Sequence, residues 1–383
     1  MNNQNSSFEV VASGTGDPYL LTPGPLTTSE TVKQAMLHDY GSRDNDFIDL
    51  NQRVLDRLVE MVDGASSHVA VPLQGSGTFV VEAMIGCFVP RDGKLLICVN
   101  GAYGHRIASM CQYYQRSYLI QESNEETPID INELDRRLSE DESITHVAVV
   151  YCETTSGILN PIKEISEVVK KHHRGFLIDA MSAFGALPLS SKDVHFDAVV
   201  ASSNKCLEGA PGMGFCIARK EAIEVTQGNA MSLSLDLYDQ WTAMKKNRQW
   251  RFTPPTHVLL AFNQALNEFD DEGGVEGRGQ RYQSNCDILV KGMRDMGFET
   301  LLPDKLQAPI IITFHMPRDS RFEFSAFYDR LREMGYVIYP GKLTIADSFR
   351  VGCIGRLDET QMRGVLATIR LYLDRLGLEG RVS

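Results

Sequence analysis

The sequence predicts an α/β fold, with a large domain built on a mainly parallel, doubly wound sheet and a smaller α/β domain at the C-terminal end. Between about His68 and Arg219, short apolar runs alternate with helical patterns, as in parallel strands connected by helices. A second alternation follows a polar, glycine-rich stretch at 270–279. The length of 383 residues also exceeds what one hydrophobic core usually serves, which favours two domains.

The individual elements follow from the spacing of apolar residues. The strand candidates of the first region are the runs 94–100, 146–153, 174–180, 197–203 and 212–219. Between them, the pattern 162–173 places Ile165, Val168 and Val169 on one face, as an amphipathic helix does. The second region offers strand candidates at 309–316, 336–341 and 349–354 and helical patterns at 323–334 and 359–376.

Charge and cysteine content restrict the partners and the compartment. The net charge of -12 would repel phosphate-rich surfaces, so we expect neither a nucleic-acid nor a membrane partner. Eight scattered cysteines without a CxxC pair indicate reduced core residues of a cytoplasmic protein. The polar start, Met1 to Tyr19, lacks a basic beginning and an apolar run, so it predicts neither a signal peptide nor an anchor.

A glycine-rich turn lies between the apolar run that ends at Leu73 and the helical pattern 79–87. The turn reads Gly75-Ser76-Gly77-Thr78, and a strand, a turn and a helix N-terminus together offer free backbone N–H groups to a phosphate. By itself, such a turn is more often a tight connection that uses glycine for its geometry. It also lacks a complete GxGxxG motif and the lysine of a P-loop.

An acid and a lysine follow two further strand candidates. Asp179 ends the run at 174–180, and Lys205 stands just beyond the run at 197–203. At the carboxyl end of parallel strands both residues would reach the crevice where open α/β sheets bind ligands. Alone, each has a simpler explanation, because Asp179 could cap a turn and Lys205 could be a solvated loop residue.

Two more segments end at the same predicted sheet edge. Tyr103 follows the strand candidate 94–100 and could stack on an aromatic ring, although a packing tyrosine is equally common. Thr154 follows the strand candidate 146–153 and could reach a ring oxygen, or could cap a turn. Together the segments supply a phosphate cradle, an acid for a ring nitrogen and a lysine for a Schiff base, which are the parts of a pyridoxal 5'-phosphate site.

These residues belong to motifs that resemble the class V aminotransferases of pyridoxal phosphate fold type I. Within that family, the chain is most similar to the members that act on 2-aminoethylphosphonate and pyruvate. The resemblance covers nearly the whole chain, and its motifs are Leu20-Leu21-Thr22-Pro23-Gly24-Pro25-Leu26-Thr27-Thr28, Leu73-Gln74-Gly75-Ser76-Gly77, Asn100-Gly101-Ala102-Tyr103-Gly104, Ile178-Asp179-Ala180-Met181-Ser182, Ser203-Asn204-Lys205-Cys206, Ser232-Leu233-Ser234-Leu235-Asp236-Leu237-Tyr238, Arg251-Phe252-Thr253-Pro254-Pro255-Thr256-His257 and Tyr339-Pro340-Gly341-Lys342.

The resemblance implies a role for each cofactor-binding residue. Lys205 would carry pyridoxal 5'-phosphate and move the proton of the substrate carbon, and Asp179 would keep the ring nitrogen protonated. The residues that would hold the cofactor phosphate, stack on its ring and approach its ring oxygen are Ser76, Gly77, Thr78, Tyr103 and Thr154. Thr253 and Thr256 would complete the phosphate site from the neighbouring subunit, so the resemblance implies a homodimer with shared active sites.

The substrate site implied by the resemblance centres on Arg350. Its guanidinium suits both a phosphonate and a carboxylate, whereas a surface salt bridge is the alternative for an arginine in a strand. Gly24 and Lys342 are further substrate-binding candidates, and Arg43 is a secondary one for the phosphonate. No metal is implied.

The predicted organisation and activity follow from these assignments. We expect an N-terminal segment at 1–30 that contributes to the active site, a large cofactor-binding domain at 31–270 and a small domain at 271–383. The predicted reaction gives phosphonoacetaldehyde and L-alanine. Alternatives are an alanine–glyoxylate or serine–pyruvate aminotransferase, a cysteine desulfurase that would need Cys206 or Cys353 as its thiol, and a non-enzymatic dimer that kept the fold.

Overall fold

The computed structural model describes residues 16–343, 346–378 and 382, so part of the predicted N-terminal segment, residues 1–15, lies outside the described residues. The helices α1 to α12 are Glu30–Gln34, Asn45–Glu60, Gly77–Phe88, Ala102–Tyr113, Ile131–Glu140, Ile162–Lys171, Lys220–Glu224, Leu237–Asn247, Thr256–Asp271, Gly274–Asp295, Phe324–Glu333 and Glu359–Arg375. The strands β1 to β14 are Tyr19–Leu20, His68–Gln74, Lys94–Val99, Ser117–Glu122, Ile144–Val150, Cys152–Glu153, Ile158–Leu159, Gly175–Asp179, Ala198–Ser202, Met213–Arg219, Ile311–His315, Tyr336–Val337, Tyr339–Pro340 and Ser348–Gly352.

A seven-stranded sheet forms the centre of the fold, in the order β2-β10-β9-β8-β5-β3-β4. Strand β10 is antiparallel to both of its neighbours, and the other pairs are parallel. The predicted mainly parallel sheet is therefore confirmed, with β10 as its exception. The chain returns from β9 to β10 through the short segment 203–212, and a parallel crossover would need a longer connection, usually a helix.

Both faces of this sheet are covered, because alternate side chains of each strand point to opposite sides. On β3, Leu96 and Cys98 belong to the apolar cluster that contains residues of α2, α5, α6 and α9. Leu95 and Ile97 belong to the cluster that contains residues of α3 and α4. The doubly wound arrangement predicted from the sequence is therefore confirmed.

The C-terminal region has its own antiparallel sheet, in the order β11-β14-β13. Its apolar cluster includes side chains of α10, α11 and α12. The polar, glycine-rich stretch at 270–279 contains the end of α9 and the start of α10, which begins at Gly274. Only Glu272 and Gly273 separate α9 from α10, and Gly273 adopts a left-handed φ of 98° that glycine favours. The domain boundaries at 30/31 and 270/271 stay predictions.

The start of the described chain joins this C-terminal region. Strand β1 pairs in parallel with β12, with Tyr19 opposite Tyr336, and the N–H of Gly352 donates to Leu21 O at 2.9 Å. The segment after β1 then crosses to the central sheet, where it meets Lys205. Among the described helices, none is long and apolar enough to cross a membrane.

Candidate active site

A cavity of about 190 Å³ lies at the carboxyl ends of the central strands. Six of the predicted residues line it together: Ser76, Gly77, Thr78, Tyr103, Asp179 and Lys205. They come from four separate segments of the sequence, and the parallel strands bring those segments to one sheet edge. The convergence expected from the sequence is therefore present in the structure.

The glycine-rich turn connects β2 to α3 at one side of the cavity. Gly75 adopts a φ of +126°, which only glycine adopts readily, and its N–H donates to Gly212 O at 2.9 Å. Ser76 precedes α3, and its side chain makes no capping hydrogen bond. Because the first N–H groups of a helix lack intrahelical partners, this turn can bind an anion.

Asp179 is the last residue of β8 and is 5% exposed. Its Oδ1 accepts a hydrogen bond from the Met181 N–H at 2.9 Å. Burial raises the pKa of Asp179 to about 6, while the positive charges of Arg106 and Lys205 act in the opposite direction. A cationic group placed next to this carboxylate would be stabilised by it.

Lys205 projects from the loop between β9 and β10 towards the segment after β1. Its Nζ donates to Pro23 O at 2.5 Å, and a Cβ added to Gly24 would lie 2.4 Å from the same Nζ. Burial lowers the pKa of Lys205 to about 8, and the charges of Arg350 and Lys342 add to that effect. Gly24 therefore lies next to the Lys205 amine, and its missing side chain makes room for the lysine; its predicted role in binding substrate stays a prediction.

Tyr103 lies in the first turn of α4, and Arg106 lies one turn later. The Arg106 guanidinium is 4.7 Å from the centre of the Tyr103 ring, and its Nη1 donates to Thr78 Oγ1 at 3.2 Å. Arg106 also lines the cavity. Arg106 was not among the residues predicted from the sequence, although its spacing from Tyr103 is the helical i, i+3 that places two side chains on one face.

Arg350 lies on β14 and is 1% exposed. Its Nη1 donates to Thr154 O at 2.9 Å, and its Nε and Nη2 donate to Pro340 O at 3.2 and 3.1 Å. Burial lowers the pKa of Arg350. Its positive charge acts on Lys205, so the arginine stands close to the cavity without lining it. Thr154 is itself buried behind the cavity, which it does not line.

The remaining predicted residues are not brought into the cavity of this chain. Lys342 is exposed, although its charge acts on Lys205, and Arg43 is exposed in the loop before α2. Thr253 is exposed, and Thr256 is half-buried at the start of α9. Their contribution from a second subunit stays a prediction.

Glu153, a second buried acid near the cavity, was given no role in the sequence analysis. It is fully buried at the end of β6, and burial raises the pKa of its carboxyl to about 7. A glutamate within an apolar strand candidate was the available signal, because glutamate is almost never fully buried without partners.

The family model described as Aminotransferase class-V matches residues 80–338. The chain belongs to the class-V aminotransferase family. Two curated members are named 2-aminoethylphosphonate–pyruvate transaminase. The one from Pseudomonas putida is 52% identical over 352 residues, which cover 92% of this chain and 96% of the relative. The one from Pseudomonas aeruginosa is 52% identical over 352 residues, covering 92% and 95%.

Solved structures of other aminotransferases share the fold of this class-V chain. Pyridoxamine–pyruvate aminotransferase from Mesorhizobium loti superposes with a TM-score of 0.86 at 23% identity, covering 95% of this chain and 94% of that one. Ureidoglycine–glyoxylate aminotransferase from Bacillus subtilis gives a TM-score of 0.86 at 22% identity, covering 94% of each chain. The predicted fold class, pyridoxal phosphate fold type I, is confirmed.

The cavity fits the cofactor of this family, pyridoxal 5'-phosphate. The α3 N-terminus offers N–H groups where a phosphate could bind, and Asp179 presents a buried carboxylate that would stabilise a protonated ring nitrogen. Lys205 supplies an amine whose pKa is lowered to about 8, so a larger share of it is neutral at physiological pH than of an ordinary lysine.

Proposed function

We propose that this class-V enzyme transfers the amino group of 2-aminoethylphosphonate to pyruvate, forming phosphonoacetaldehyde and L-alanine. The observation that carries the proposal is the buried guanidinium of Arg350, which lies close to Lys205. This guanidinium donates to backbone carbonyls. None of the ion pairs found within 16–343, 346–378 and 382 includes this arginine. The relatives that are 52% identical carry this activity in their names.

Arg350 would bind the anionic end of both substrates in turn. Its three hydrogen bonds to carbonyl oxygens hold the guanidinium in one orientation, and two of its five N–H groups remain for a ligand. A guanidinium binds a phosphonate or a carboxylate through paired hydrogen bonds, so one arginine can serve both half-reactions. Lys342 and Arg43 are the next candidates for the additional charge of the phosphonate.

Lys205 and Asp179 would perform the proton chemistry. When bound, pyridoxal phosphate supplies the electron sink and carries the amino group between the two substrates. The Lys205 Nζ would take the proton from the substrate carbon and deliver it to the cofactor carbon, and in the second half-reaction would move it in the opposite direction; the amine must be neutral to accept the proton. Burial, which lowers the pKa of Lys205 to about 8, supports this role. Asp179 keeps a proton on the cofactor ring nitrogen through its buried negative charge.

The cofactor phosphate would bind to Ser76, Gly77 and Thr78, with Thr253 and Thr256 of a second subunit completing its site. Several large apolar side chains are exposed, which supports a homodimer: Phe79, Tyr113, Leu233 and Phe252 are 50%, 88%, 73% and 50% exposed. Phe79 follows the phosphate-binding turn, and Phe252 precedes Thr253. A contact between two subunits that covers these side chains would therefore bring Thr253 and Thr256 of one subunit near the phosphate-binding turn of the other.

A cytoplasmic location is part of the proposal. All eight cysteines are free and buried, which is typical of proteins from a reducing compartment. The same observation disfavours a desulfurase, because burial raises the pKa of Cys206 to about 12 and that of Cys353 well above its usual value. Neither thiol is a ready nucleophile.

The amino donor distinguishes the proposal from other class-V activities. Purified holoenzyme is incubated with pyruvate and one amino donor, either 2-aminoethylphosphonate or L-serine, and the L-alanine formed is measured. In a further reaction, L-alanine is the donor and glyoxylate is the acceptor. We expect 2-aminoethylphosphonate to give the largest kcat/KM by at least tenfold. Serine or alanine as the better donor would refute the phosphonate assignment while keeping the family, and no transamination with any pair would favour a binding protein.

A further inference from the structure

We propose that Glu153 is a positioning residue. It holds Tyr103, which would stack on the cofactor ring, and the turn at 154–155, whose Thr154 carbonyl accepts a hydrogen bond from Arg350. The proposal deepens the proposed function and rests on it for the identity of the substrates. Glu153 ends β6 and is 0% exposed. No ion pair found among the described residues includes Glu153, and a buried carboxylate without such a pair is costly, so its hydrogen bonds indicate its role.

Both carboxylate oxygens of Glu153 accept hydrogen bonds from residues at the site. Oε2 accepts from the Tyr103 N–H at 3.1 Å. Oε1 accepts from the Thr155 N–H at 3.2 Å and from Thr155 Oγ1 at 2.9 Å. One carboxylate therefore joins the start of α4 to the turn after β6.

The bond to Tyr103 replaces the usual cap of α4. Gly101 precedes this helix and has no side chain to accept from its first N–H groups, and these groups favour a nearby negative charge. A Cβ on Gly101 would lie 2.3 Å from Glu153 Cγ and 2.6 Å from Thr155 Oγ1. Glycine at this position therefore admits the carboxylate that caps the helix.

The bond to Thr155 extends the connection to the substrate side. Arg350 donates to Thr154 O at 2.9 Å, so the turn that Glu153 holds also orients the guanidinium. The charged groups that act on Glu153 are Asp179 of β8 and Arg350 of β14. Burial, with Asp179 adding to it, raises the pKa of Glu153 to about 7, and the hydrogen bonds from Thr155 and Tyr103 lower it.

Glu153→Gln tests the role without changing the volume of the side chain. An amide has one accepting oxygen, so it can serve Tyr103 or Thr155 but not both. We expect kcat to fall by at least 10-fold, which corresponds to about 1.36 kcal/mol. We also expect the induced circular dichroism of the bound cofactor to weaken and its Kd to rise several-fold, because the Tyr103 ring moves.

The pH profile separates positioning from a purely structural role. Glu153 accepts its hydrogen bonds through both oxygens only as a carboxylate, and its raised pKa means that the carboxylate is lost as the pH falls through about 7. Wild-type kcat should therefore decrease as the pH falls through about 7. In Glu153→Gln this limb should be absent, while the decrease in kcat from protonation of the Lys205 amine as the pH falls through about 8 should remain. Glu133→Gln is the matched control, since Glu133 on α5 also accepts from two neighbours, Arg136 and Arg137. It should keep the wild-type spectrum and profile.

Thr155→Val is the second variant, because it removes the 2.9 Å bond and keeps the carboxylate. It should produce smaller changes of the same sign. Wild-type circular dichroism, cofactor Kd and pH profile in Glu153→Gln would overturn the proposal, even if that variant melts at a lower temperature. If Glu153→Gln cannot be purified, unchanged values in Thr155→Val overturn it. Failure of 2-aminoethylphosphonate as donor would refute the proposed function alone, because the cofactor measurements require no substrate.

Discussion

Replacing Arg350 with alanine should weaken both half-reactions and also destabilise the protein. The substitution leaves Thr154 O and Pro340 O without these donors, and the unpaired buried carbonyl of Thr154 costs about 1–3 kcal/mol. The substrate anion loses its guanidinium partner, which costs roughly 2–5 kcal/mol for a buried charge pair. That loss corresponds to a roughly 30-fold to several-thousand-fold weaker affinity for each substrate.

Arg116 provides a matched control for the structural part of this loss. It is 5% exposed and also donates to backbone carbonyls, to Asn229 O at 2.8 Å and Gly86 O at 3.4 Å. We expect Arg116→Ala to lower the free energy of unfolding by a similar amount while keeping the substrate affinities of the wild type. Arg350→Lys should recover only part of the affinity, because an ammonium lacks the planar pair of donors.

The assay is single-turnover spectroscopy of each half-reaction, first with 2-aminoethylphosphonate and then with pyruvate, together with denaturant unfolding of each variant. Damage to the pyruvate half-reaction alone would mean that the phosphonate is held elsewhere, with Lys342 or Arg43 as the next candidates. Wild-type affinities in both half-reactions would show that Arg350 is structural and would refute its proposed role.

Three further predictions test the cavity itself. Asp179→Asn should retain the cofactor but lose nearly all turnover, because an amide cannot stabilise the protonated ring nitrogen; near-normal turnover would make Asp179 a structural cap. Since the pKa of Lys205 is lowered to about 8, this amine carries a proton in the unfolded chain that it has lost in the folded chain above that pH, so Lys205 itself should contribute a rise in the unfolding free energy of the apoprotein from pH 8 to 10.5. In denaturant titrations, the unfolding free energy of the wild type minus that of Lys205→Met should show this rise, and a difference that does not change with pH would refute the shift. Gly24→Ala should reduce kcat by at least tenfold, because its Cβ would lie 2.4 Å from Lys205 Nζ. Gly228→Ala is the control for the positive φ, because nothing lies within 4 Å of a Cβ at that position. Equal rates in the two variants would contradict the close approach.

The sequence predicted the strands of the central sheet other than β4, because they are continuous apolar runs that end in polar or glycine-containing segments. The edge strand β4, in which polar residues alternate with apolar ones, was not among the strand candidates. Asp179 and Lys205 could be selected as candidates because each follows such a run. The direction of β10 was not specified by its composition, since its residues are apolar whichever way the strand runs. It depends on the short connection from β9, which allows only a direct return.

Residues whose role depends on tertiary contacts were harder to predict. Glu153 lies within an apolar run, and its donors come from α4 and from the next turn. Arg106 has the composition of an exposed helical residue, and only the fold places it beside Thr78. The start of α10 contains Gly274, Gly277 and Gly279, and glycine is unfavourable in a helix. The end of α10 packs into the C-terminal cluster, where Leu289 and Met293 are fully buried, and such packing can outweigh propensity.

The pairing of β1 with β12 also affects the order in which the protein can assemble on the ribosome. Tyr19 leaves the exit tunnel early, whereas its partner Tyr336 is synthesised more than 300 residues later. Until then, Pro23 and Gly24 have no strand to hold them against Lys205. The central sheet can form during translation, but the lysine can receive its Pro23 contact only after β12 has emerged. A nascent chain arrested before β12 should therefore contain a folded central sheet and an incomplete active site.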